Sequence, residues 1–402
     1  MRIGLSTSVI QGGKTGIAEY VFELVRGFAS ATTEHEFVLF VLENDLPLFA
    51  GVEKAMKLVP VAERFRPPVK DILWHQRVLP GLVREHRLDV LHVPSYRRML
   101  WPRPCALVAT VHDLAAFRVK KKYDWKRMFY GRVVASLLAR RQDGIIAISH
   151  ATARDITQFW KLPRGRITVI HHGVDRQRFA PGPHGIAKAV GRQRFGLDQP
   201  FFLYVARLEH PAKNHLRLIS AFERFKAETR LPWQLVFAGS DWHGAEAIHA
   251  AIQRSPCASD IRRLGFVAEE DLPMLYRAAD AFVYPSLYEG FGLPPLEAMA
   301  CGCPVLCSAR GALREVVGDA AVIVDPEDVT GLALALSQIA ANEEARDGLR
   351  TAGLERAAQF DWQQTVARTL EVYERVARQQ GRVQSFALTV GTLQPGTTDG
   401  HR

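Results

Sequence analysis

Short apolar, β-branched runs alternate with helical patterns along most of this 402-residue chain, and this alternation limits the folds that it can adopt. Arg2–Thr7 is the first predicted strand, and residues 16–30 follow as a helix with one apolar face. Because near-continuous apolar strands separated by helices form parallel sheets covered on both faces, the sequence predicts a doubly wound α/β fold. The later strands of the first half are predicted at 37–42, 90–93, 107–111, 144–148 and 167–170.

The alternation breaks in a stretch rich in Gly and Pro and restarts at Phe201. We therefore predict two Rossmann-like domains, with doubly wound parallel sheets, that face each other across a cleft. Ligands of such sheets bind beyond the carboxyl ends of the strands, so the cleft is the expected active site. The predicted units are residues 1–178, a linker at 179–200, residues 201–360, a final helix at 361–381 and a mostly disordered tail at 382–402.

Composition excludes two classes of protein. Five Cys are too few, and odd in number, for a secreted disulfide scaffold. No apolar run approaches the ~18 residues that a membrane span needs. The apolar stretch at the N-terminus is too short for a signal peptide. We therefore expect a reduced, cytoplasmic protein.

The net charge of +10 is concentrated in the first half of the chain. Residues 1–200 hold 32 Lys and Arg against 17 Asp and Glu, whereas residues 201–402 hold 20 against 25. The densest basic stretch is 118–141, in which Trp125 and Phe129 lie among the cations. A basic helix with aromatic anchors suits peripheral contact with an anionic membrane, and a solvated helix face is the alternative. No nucleic-acid-binding signature accompanies the charge, so no nucleic-acid partner is expected.

One segment carries the strongest chemical signal. It leaves a strand at Tyr284, passes through Gly290 and Gly292, and enters a helix, so that free amides and the helix dipole form an anion site. Glu289 precedes this turn and Glu297 lies inside the helix, which suits the two ends of one long ligand better than a glycosidase pair. A sugar at one end, a ribose diol at the other and phosphates between them fit the pattern.

Further candidates lie at two other turns between a strand and a helix. Arg207 ends the first strand of the second domain and Lys213 opens the next helix, so that a guanidinium and an ammonium could neutralise a diphosphate. In the first domain, Gly12 and Gly13 form a turn that fails the P-loop pattern, because Ser8 stands where that pattern needs Gly. Backbone amides there could still approach a phosphate or sugar, with a plain tight turn as the alternative.

No metal site is predicted. Cys301, Cys303 and Cys307 lack the spacing of a zinc site, and neither they nor the adjacent His171 and His172 are completed by a cluster of further ligands. We expect the two cations and the helix N-terminus to neutralise a leaving diphosphate in place of a divalent ion.

These segments resemble the family 4 glycosyltransferases, which are retaining enzymes of the GT-B fold with nucleotide-sugar donors. Glu289 to Glu297 matches their E-x7-E motif, and the resemblance covers roughly residues 1–380. One departure is His172, where many relatives carry Asn. The other matching segments are 110–114, 148–155, 169–175, 205–207, 213–214, 301–305 and 318–321.

The resemblance implies a role for each matching residue. Glu289 would hold hydroxyls of the donor sugar with His112 opposite, Glu297 would hold the ribose hydroxyls, and Arg207 and Lys213 would bind the diphosphate. The final helix would cross back to the first domain. The remaining implied groups are the amides of Phe291, Gly292 and Leu293 at the phosphates, Gly12 and Gly13 over the phosphate and acceptor side, and Gly265, Phe266 and Val267 at the nucleobase.

The resemblance implies a retaining hexosyltransferase without a cofactor, and the two cations and the helix N-terminus are compatible with a metal-independent reaction. It would move a sugar from a nucleotide diphosphate sugar to a glycan or lipid-linked acceptor in bacterial polysaccharide or glycolipid synthesis, at the inner face of the membrane. The matched segments are most like bacterial mannosyltransferases, so GDP-mannose is the first expected donor and a UDP-sugar the main alternative. A sugar-nucleotide epimerase and a non-catalytic nucleotide-sugar binder also stay open, and product analysis with and without acceptor separates them.

Overall fold

Two parallel sheets form the framework of the protein. A computed structural model describes residues 1–13, 15–119 and 125–381, apart from the side chains of Lys126 and Arg127. The predicted tail at 382–402 lies outside these residues. The strands of the first sheet are β1 (Arg2–Ser6), β2 (Glu36–Leu42), β3 (Met56–Val61), β4 (Val90–Val93), β5 (Ala106–Val111), β6 (Gly144–Ala147) and β7 (Ile167–Val169). Those of the second are β8 (Phe201–Val205), β9 (Gln234–Ala238), β10 (Ile261–Gly265), β11 (Ala281–Tyr284), β12 (Val305–Ser308) and β13 (Val322–Val324).

Helices cover both faces of each sheet, as expected for strands whose residues are almost all buried. The first half contains α1 (Gly16–Ser30), α2 (Pro68–Arg77), α3 (Leu79–Glu85), α4 (Ala115–Arg118), α5 (Trp125–Phe129), α6 (Ala135–Ala139) and α7 (His150–Asp155). The second half contains α8 (His184–Phe195), α9 (His215–Thr229), α10 (Ala245–Arg254), α11 (Leu272–Ala278), α12 (Leu293–Ala300), α13 (Leu313–Val317), α14 (Val329–Ala341), α15 (Glu343–Ala357) and α16 (Trp362–Gln379).

The strand order of each sheet reverses near its centre. It is β3-β2-β1-β4-β5-β6-β7 in the first sheet and β10-β9-β8-β11-β12-β13 in the second, and the strand pairs are parallel. The chain therefore has one switch point between β1 and β4 and another between β8 and β11. Ligands of doubly wound sheets bind outside the strand ends at such points. This architecture confirms the predicted α/β fold with two Rossmann-like sheets.

The last helix belongs to the core of the first sheet. Its buried residues, among them Val366, Val372 and Val376, pack in one cluster with residues of β1, β2 and α1. Tyr373 also lies with its hydroxyl 2.6 Å from Nδ1 of the buried His92 on β4. The chain therefore crosses from the second half back to the first before it leaves the described region.

Two elements differ from the sequence-based expectation. The edge strand β3 was not predicted, because Lys57 and Pro60 interrupt its apolar pattern. The segment 179–200 was expected to be a linker, but it contains α8, whose Ala187 packs into the core of the second half together with Phe179. A helix that buries so few residues has a weak periodic signal, and packing against the domain decides its conformation.

Within the described residues, no helix is both long and apolar enough to cross a membrane.

Candidate functional site

The predicted site residues follow the strands that flank the second switch point. Arg207 and Lys213 come after β8, and the segment with Glu289 comes after the neighbouring strand β11. Parallel strands end at the same edge of a sheet, so the two turns meet although their sequences lie far apart. His112 follows β5 of the first sheet and meets them from the other half of the molecule.

Lys213 and Glu289 form an ion pair at the base of this site. Lys213 Nζ donates to Glu289 Oε1 at 2.7 Å and to the Tyr284 hydroxyl at 2.9 Å, and Ser286 Oγ donates to the same carboxylate oxygen. Both side chains of the pair are more than four-fifths buried. Burial lowers the pKa of Lys213, but Glu289, Tyr204 and Glu209 together raise it by more, so the amine stays charged.

The turn after Glu289 packs directly on the backbone of the first half. A Cβ on Gly290 would lie 1.9 Å from the carbonyl oxygen of His112, so only glycine allows this approach. Ser149 Oγ donates to the Gly290 carbonyl at 2.8 Å, and the Tyr288 hydroxyl donates to Asp155. The carboxylate segment is thus held by both halves of the protein.

His112 lies in an aromatic environment that keeps it neutral. Its Nε2 is 3.1 Å from the carbonyl oxygen of Pro94, and its ring meets the edge of Tyr20 at 5.0 Å between centroids. Burial lowers the pKa of His112 to about 4. The ring therefore donates from Nε2 to Pro94 at neutral pH, which leaves Nδ1 as a hydrogen-bond acceptor.

His172, the departure from the family pattern, is the centre of a ring cluster between the two halves. Its ring stacks on Tyr20 at 4.9 Å and on Trp362 at 5.4 Å, and it lies 5.1 Å from Phe291. Among the described residues neither ring nitrogen has a hydrogen-bond partner, and burial lowers its pKa well below the usual value. His172 therefore packs as a neutral ring. Its contact with the ring of Phe291 connects the second half of the protein to this cluster.

Glu297 is the second carboxylate of the motif and faces a different environment. Tyr276 donates to its Oε2 at 2.8 Å. Burial raises the pKa of Glu297 to about 7, against the lowering effect of that hydrogen bond. The helix that contains it, α12, begins at Leu293, and Pro294 and Pro295 have no N–H. The amides able to meet an anion at this turn are therefore those of Phe291, Gly292 and Leu293.

Arg207 contacts different residues from those that contact the ion pair. Its guanidinium carbon is 4.5 Å from the ring centroid of Trp242, and Nη2 is 3.9 Å from Glu209. The side chain is half exposed, which leaves its donors open to a ligand. The structure thus places two cations in the strand-to-helix turn after β8, one buried and one accessible.

The glycine candidates adopt the conformations that favour glycine. Gly12 and Gly13 have φ of 77° and 86°, and a Cβ on Gly12 would meet open space. Gly265 has φ of 68° and ends β10, and the next residue, Phe266, is 63 % exposed. Val267 differs, because its side chain is buried in the core and only its backbone can line a surface pocket.

A group of potential metal ligands also joins the two halves. The ligand atoms of His150, His171 and Glu315 lie within 4.8 Å of one another. However, Glu315 accepts the N–H groups of His150 and Ala151 at 2.7 and 3.1 Å, and His171 Nε2 lies 2.7 Å from it. Burial raises the pKa of Glu315, but these hydrogen bonds lower it further. The carboxylate therefore caps α7 across the boundary, which favours a structural role.

Cys301, Cys303 and Cys307 are buried with free thiols. Burial raises the pKa of Cys301 to about 12, so the thiol stays protonated at neutral pH.

Four large apolar side chains are exposed on one helical segment of the first half. Trp125, Phe129, Val133 and Leu137 are spaced four residues apart and have exposed fractions between 43 and 74 %. This spacing puts them on one side of the helical segment 125–139, and we call these four residues the apolar stripe. Exposed basic residues, including Arg132 and Arg140, lie on the same segment.

Several residues of the site were not predicted from the sequence. Tyr284 and Ser286 contact the ion pair, and Trp242 contacts Arg207. Tyr284 ends β11, Ser286 follows that strand, and Trp242 follows β9. Their positions at the ends of strands of the second sheet were the available signal. Glu315 had no such signal, because its partners lie in the other half of the chain.

Comparison with known proteins gives consistent matches along the chain. The model for Glycosyltransferase Family 4 matches residues 14–178, and that for Glycosyl transferases group 1 matches residues 187–356. The chain is 30 % identical over 384 residues to the O-antigen chain mannosyltransferase B of Escherichia coli, covering 93 % of this chain and 100 % of that protein.

Two further proteins extend the comparison. The D-inositol 3-phosphate glycosyltransferase of Thermobispora bispora is 32 % identical over 405 residues, with 91 % of this chain and 92 % of that protein covered. The crystal structure of HepE from Anabaena, in complex with UDP and glucose, superposes with a TM-score of 0.74 at 19 % identity, covering 93 % of this chain and 100 % of that one. At that identity the structural match shows the fold alone.

Proposed function

Because this chain belongs to glycosyltransferase family 4 and has the GT-B fold, we propose that it transfers mannose from GDP-mannose to a glycan or lipid-linked acceptor. The observation that carries the proposal is the Lys213–Glu289 pair, a cation and a carboxylate at the switch point, next to Gly290, which packs on the backbone of His112. A carboxylate accepts sugar hydroxyls and an ammonium neutralises phosphate, so both ends of a sugar diphosphate have partners there.

The proposed reaction stabilises the leaving diphosphate with protein groups. Lys213, Arg207 and the amides before α12 would bind its oxygens, which supplies the charge neutralisation that a divalent ion supplies elsewhere. The bond between the anomeric carbon and the phosphate oxygen breaks as the acceptor oxygen bonds to the same face of the sugar. The departing phosphate oxygen takes the acceptor proton, and the anomeric configuration is retained.

His112 would contribute as a neutral ring. Because its pKa is about 4 and Nε2 donates to Pro94, its Nδ1 can accept a hydrogen bond from a donor-sugar hydroxyl. It would orient the sugar from the first domain while Glu289 binds hydroxyls from the second. Glu297, which lies inside α12, would accept the ribose hydroxyls.

The proposed identity of the donor sugar nucleotide rests on the related proteins as well as on the site. The Escherichia coli protein is named a mannosyltransferase, and it aligns with nearly the whole chain, which supports mannose. The HepE structure holds UDP and glucose, so a UDP-sugar is the second candidate donor for the same site.

Calorimetric titration with GDP, UDP and their common sugar conjugates tests the donor. We expect selective binding of GDP and GDP-mannose, weakened in E297A by about tenfold because a charged hydrogen-bond acceptor is lost. E355A, at an exposed glutamate on α15, is the matched control and should bind like the wild type. Selective UDP binding would contradict GDP-mannose as the donor. Binding of no nucleotide would contradict the proposed transferase site itself.

The reaction type needs a separate measurement. Product analysis with and without acceptor should show that sugar is transferred only when an acceptor is present. A converted sugar nucleotide without acceptor would instead indicate an epimerase. K213A should lose activity by orders of magnitude while EDTA leaves the wild type unchanged, and activity that EDTA abolishes would contradict metal independence.

We further propose peripheral contact with an anionic membrane through the apolar stripe. Four exposed apolar side chains on one helix face, with basic neighbours, can insert into the headgroup region while the cations meet anionic lipids. Such contact would bring the first domain to a lipid-linked acceptor.

Vesicle sedimentation tests this contact. The wild type should bind vesicles that contain phosphatidylglycerol and bind neutral phosphatidylcholine vesicles much less, and the double variant W125D/F129D should lose binding. L334D, which changes an apolar residue of α14 with 56 % exposure in the other domain, is the matched control. Equal sedimentation of W125D/F129D and the wild type would refute the contact.

A further inference from the structure

The exposed indole of Trp242 packs against Arg207, whose guanidinium carbon lies 4.5 Å from the ring centroid. We propose that Trp242 is a positioning residue that holds Arg207 ready for the donor diphosphate. This inference rests on the proposed function, in which Arg207 binds that diphosphate. Trp242 itself acts through Arg207 and needs no contact with the nucleotide.

The position of Trp242 is fixed by its backbone. The two segments that follow β8 and β9 stay paired beyond the ends of these strands. Leu208 N–H donates to the Ser240 carbonyl at 2.9 Å, and Trp242 N–H donates to the Leu208 carbonyl at 3.1 Å. His210 N–H then donates to the His243 carbonyl at 2.9 Å. The residues after Arg207 and the loop that contains Trp242 therefore form one hydrogen-bonded ribbon.

Glycine makes this close pairing possible. Gly239 has φ of 151°, and a Cβ there would lie 2.0 Å from the carbonyl oxygen of Ala206. Gly244, with φ of 77°, ends the ribbon against His210. Both positions favour glycine, one by its close contact and the other by its left-handed backbone, so the local backbone is suited to bring the Trp242 ring beside Arg207.

Arg207 needs such a support. Its side chain is 48 % exposed, and the carboxylate of Glu209 is 3.9 Å away, at the limit of an ion pair. A long exposed side chain loses rotamer freedom when it binds a phosphate, and this loss weakens binding. A ring that already holds the guanidinium reduces the loss, and Trp offers the most favourable aromatic face for a cation.

Nucleotide titration of single and double variants tests the inference. Each base is tested as its diphosphate and its monophosphate, with GDP against GMP and UDP against UMP. The proteins are the wild type, W242L, W242F, R207A and W242L/R207A. We expect W242L to weaken binding of each nucleoside diphosphate by about two- to fivefold, the range for an exposed cation–π pair. Binding of the monophosphate of the same base should weaken less. W242F should recover part of the affinity, and the double variant should bind no more weakly than R207A.

A matched control exists in the other domain. Trp101 is 52 % exposed and lies 4.6 Å from the guanidinium carbon of Arg141, so W101L removes an equivalent pair away from the site. It should bind both nucleotides like the wild type. In steady-state assays, the donor KM should rise in W242L and be partly restored in W242F, a pattern that general loss of structure would not give.

The outcomes separate this inference from the proposed function. Trp242 does not position Arg207 if R207A weakens diphosphate binding and W242L does not. The same holds if W242L weakens binding of the monophosphate and the diphosphate equally. In both cases the proposed function stands. If R207A leaves diphosphate binding unchanged, or if no nucleotide binds the wild type, the role of Arg207 fails and this inference fails with it.

Discussion

Glu297 gives the sharpest prediction, because burial shifts its pKa strongly and the proposed function requires its charge. Burial raises its pKa from 4.5 to about 7, although Tyr276 donates a hydrogen bond to it. The replacement E297Q keeps an oxygen that can accept the Tyr276 hydrogen bond and removes the charge. It therefore isolates the free-energy cost of holding a carboxylate at this position.

The sign and size follow from linkage. A group whose pKa is higher in the folded state contributes stability that is fully present below its unfolded pKa, here 4.5, and lost as the pH rises through about 7. That rise in pKa converts to about 3 kcal/mol at most. Because Glu297 is partly exposed, solvent screening reduces the expected value to about 2 kcal/mol. Between pH 5 and pH 8.5 the free energy of unfolding of the wild type should therefore fall by about 2 kcal/mol relative to that of E297Q.

Urea denaturation at several pH values measures the stability, and calorimetry with the donor nucleotide measures the function. Nucleotide affinity of the wild type should increase from pH 6 to pH 8 as the carboxylate ionises, and E297Q should show a flat, weaker profile. E355Q controls for the loss of one negative charge. Parallel stability curves for E297Q and the wild type would show that the pKa of Glu297 is not raised, and the reasoning would be refuted.

Four further variants test the site and its attachment to both domains. K213M should lower the free energy of unfolding by about 3 kcal/mol, because it leaves Glu289 buried without its cation, and K213M/E289Q should recover stability in urea denaturation but not activity. G290A should reduce kcat strongly while the fold persists by circular dichroism, since its Cβ would displace the backbone of His112. E315A should lower the thermal unfolding temperature by removing the cap of α7, a loss of about 1 kcal/mol, and unchanged unfolding would contradict that role.

Lys213 and Glu289 could be predicted as site residues because each follows an apolar strand and accompanies a turn that exposes backbone amides. Their ion pair could not be predicted, since 76 positions separate them in sequence and only the pairing of β8 with β11 brings the two turns together. The sequence thus indicates which residue types gather at a strand end, while the strand order decides which of them touch.

Trp242 shows the opposite limit. An aromatic residue after a strand is usual in loops, and nothing in its spacing connects it with Arg207. The connection comes from backbone hydrogen bonds that continue beyond both strands, and these depend on the close approach of Gly239 to Ala206. Such a contact is a property of the assembled backbone, so it becomes visible only in the structure.

The segment after β11 shows why neither domain can form the site alone. Its Gly290 carbonyl accepts a hydrogen bond from Ser149, and its Tyr288 hydroxyl donates to Asp155, which also binds Arg118. These partners belong to the first domain, whereas Glu289 between them pairs with a lysine of the second. First-domain hydrogen bonds therefore hold the residue on either side of Glu289, while second-domain groups hold its carboxylate. The orientation of the Glu289 carboxylate, to which the proposed function assigns the sugar hydroxyls, thus depends on contacts from both domains.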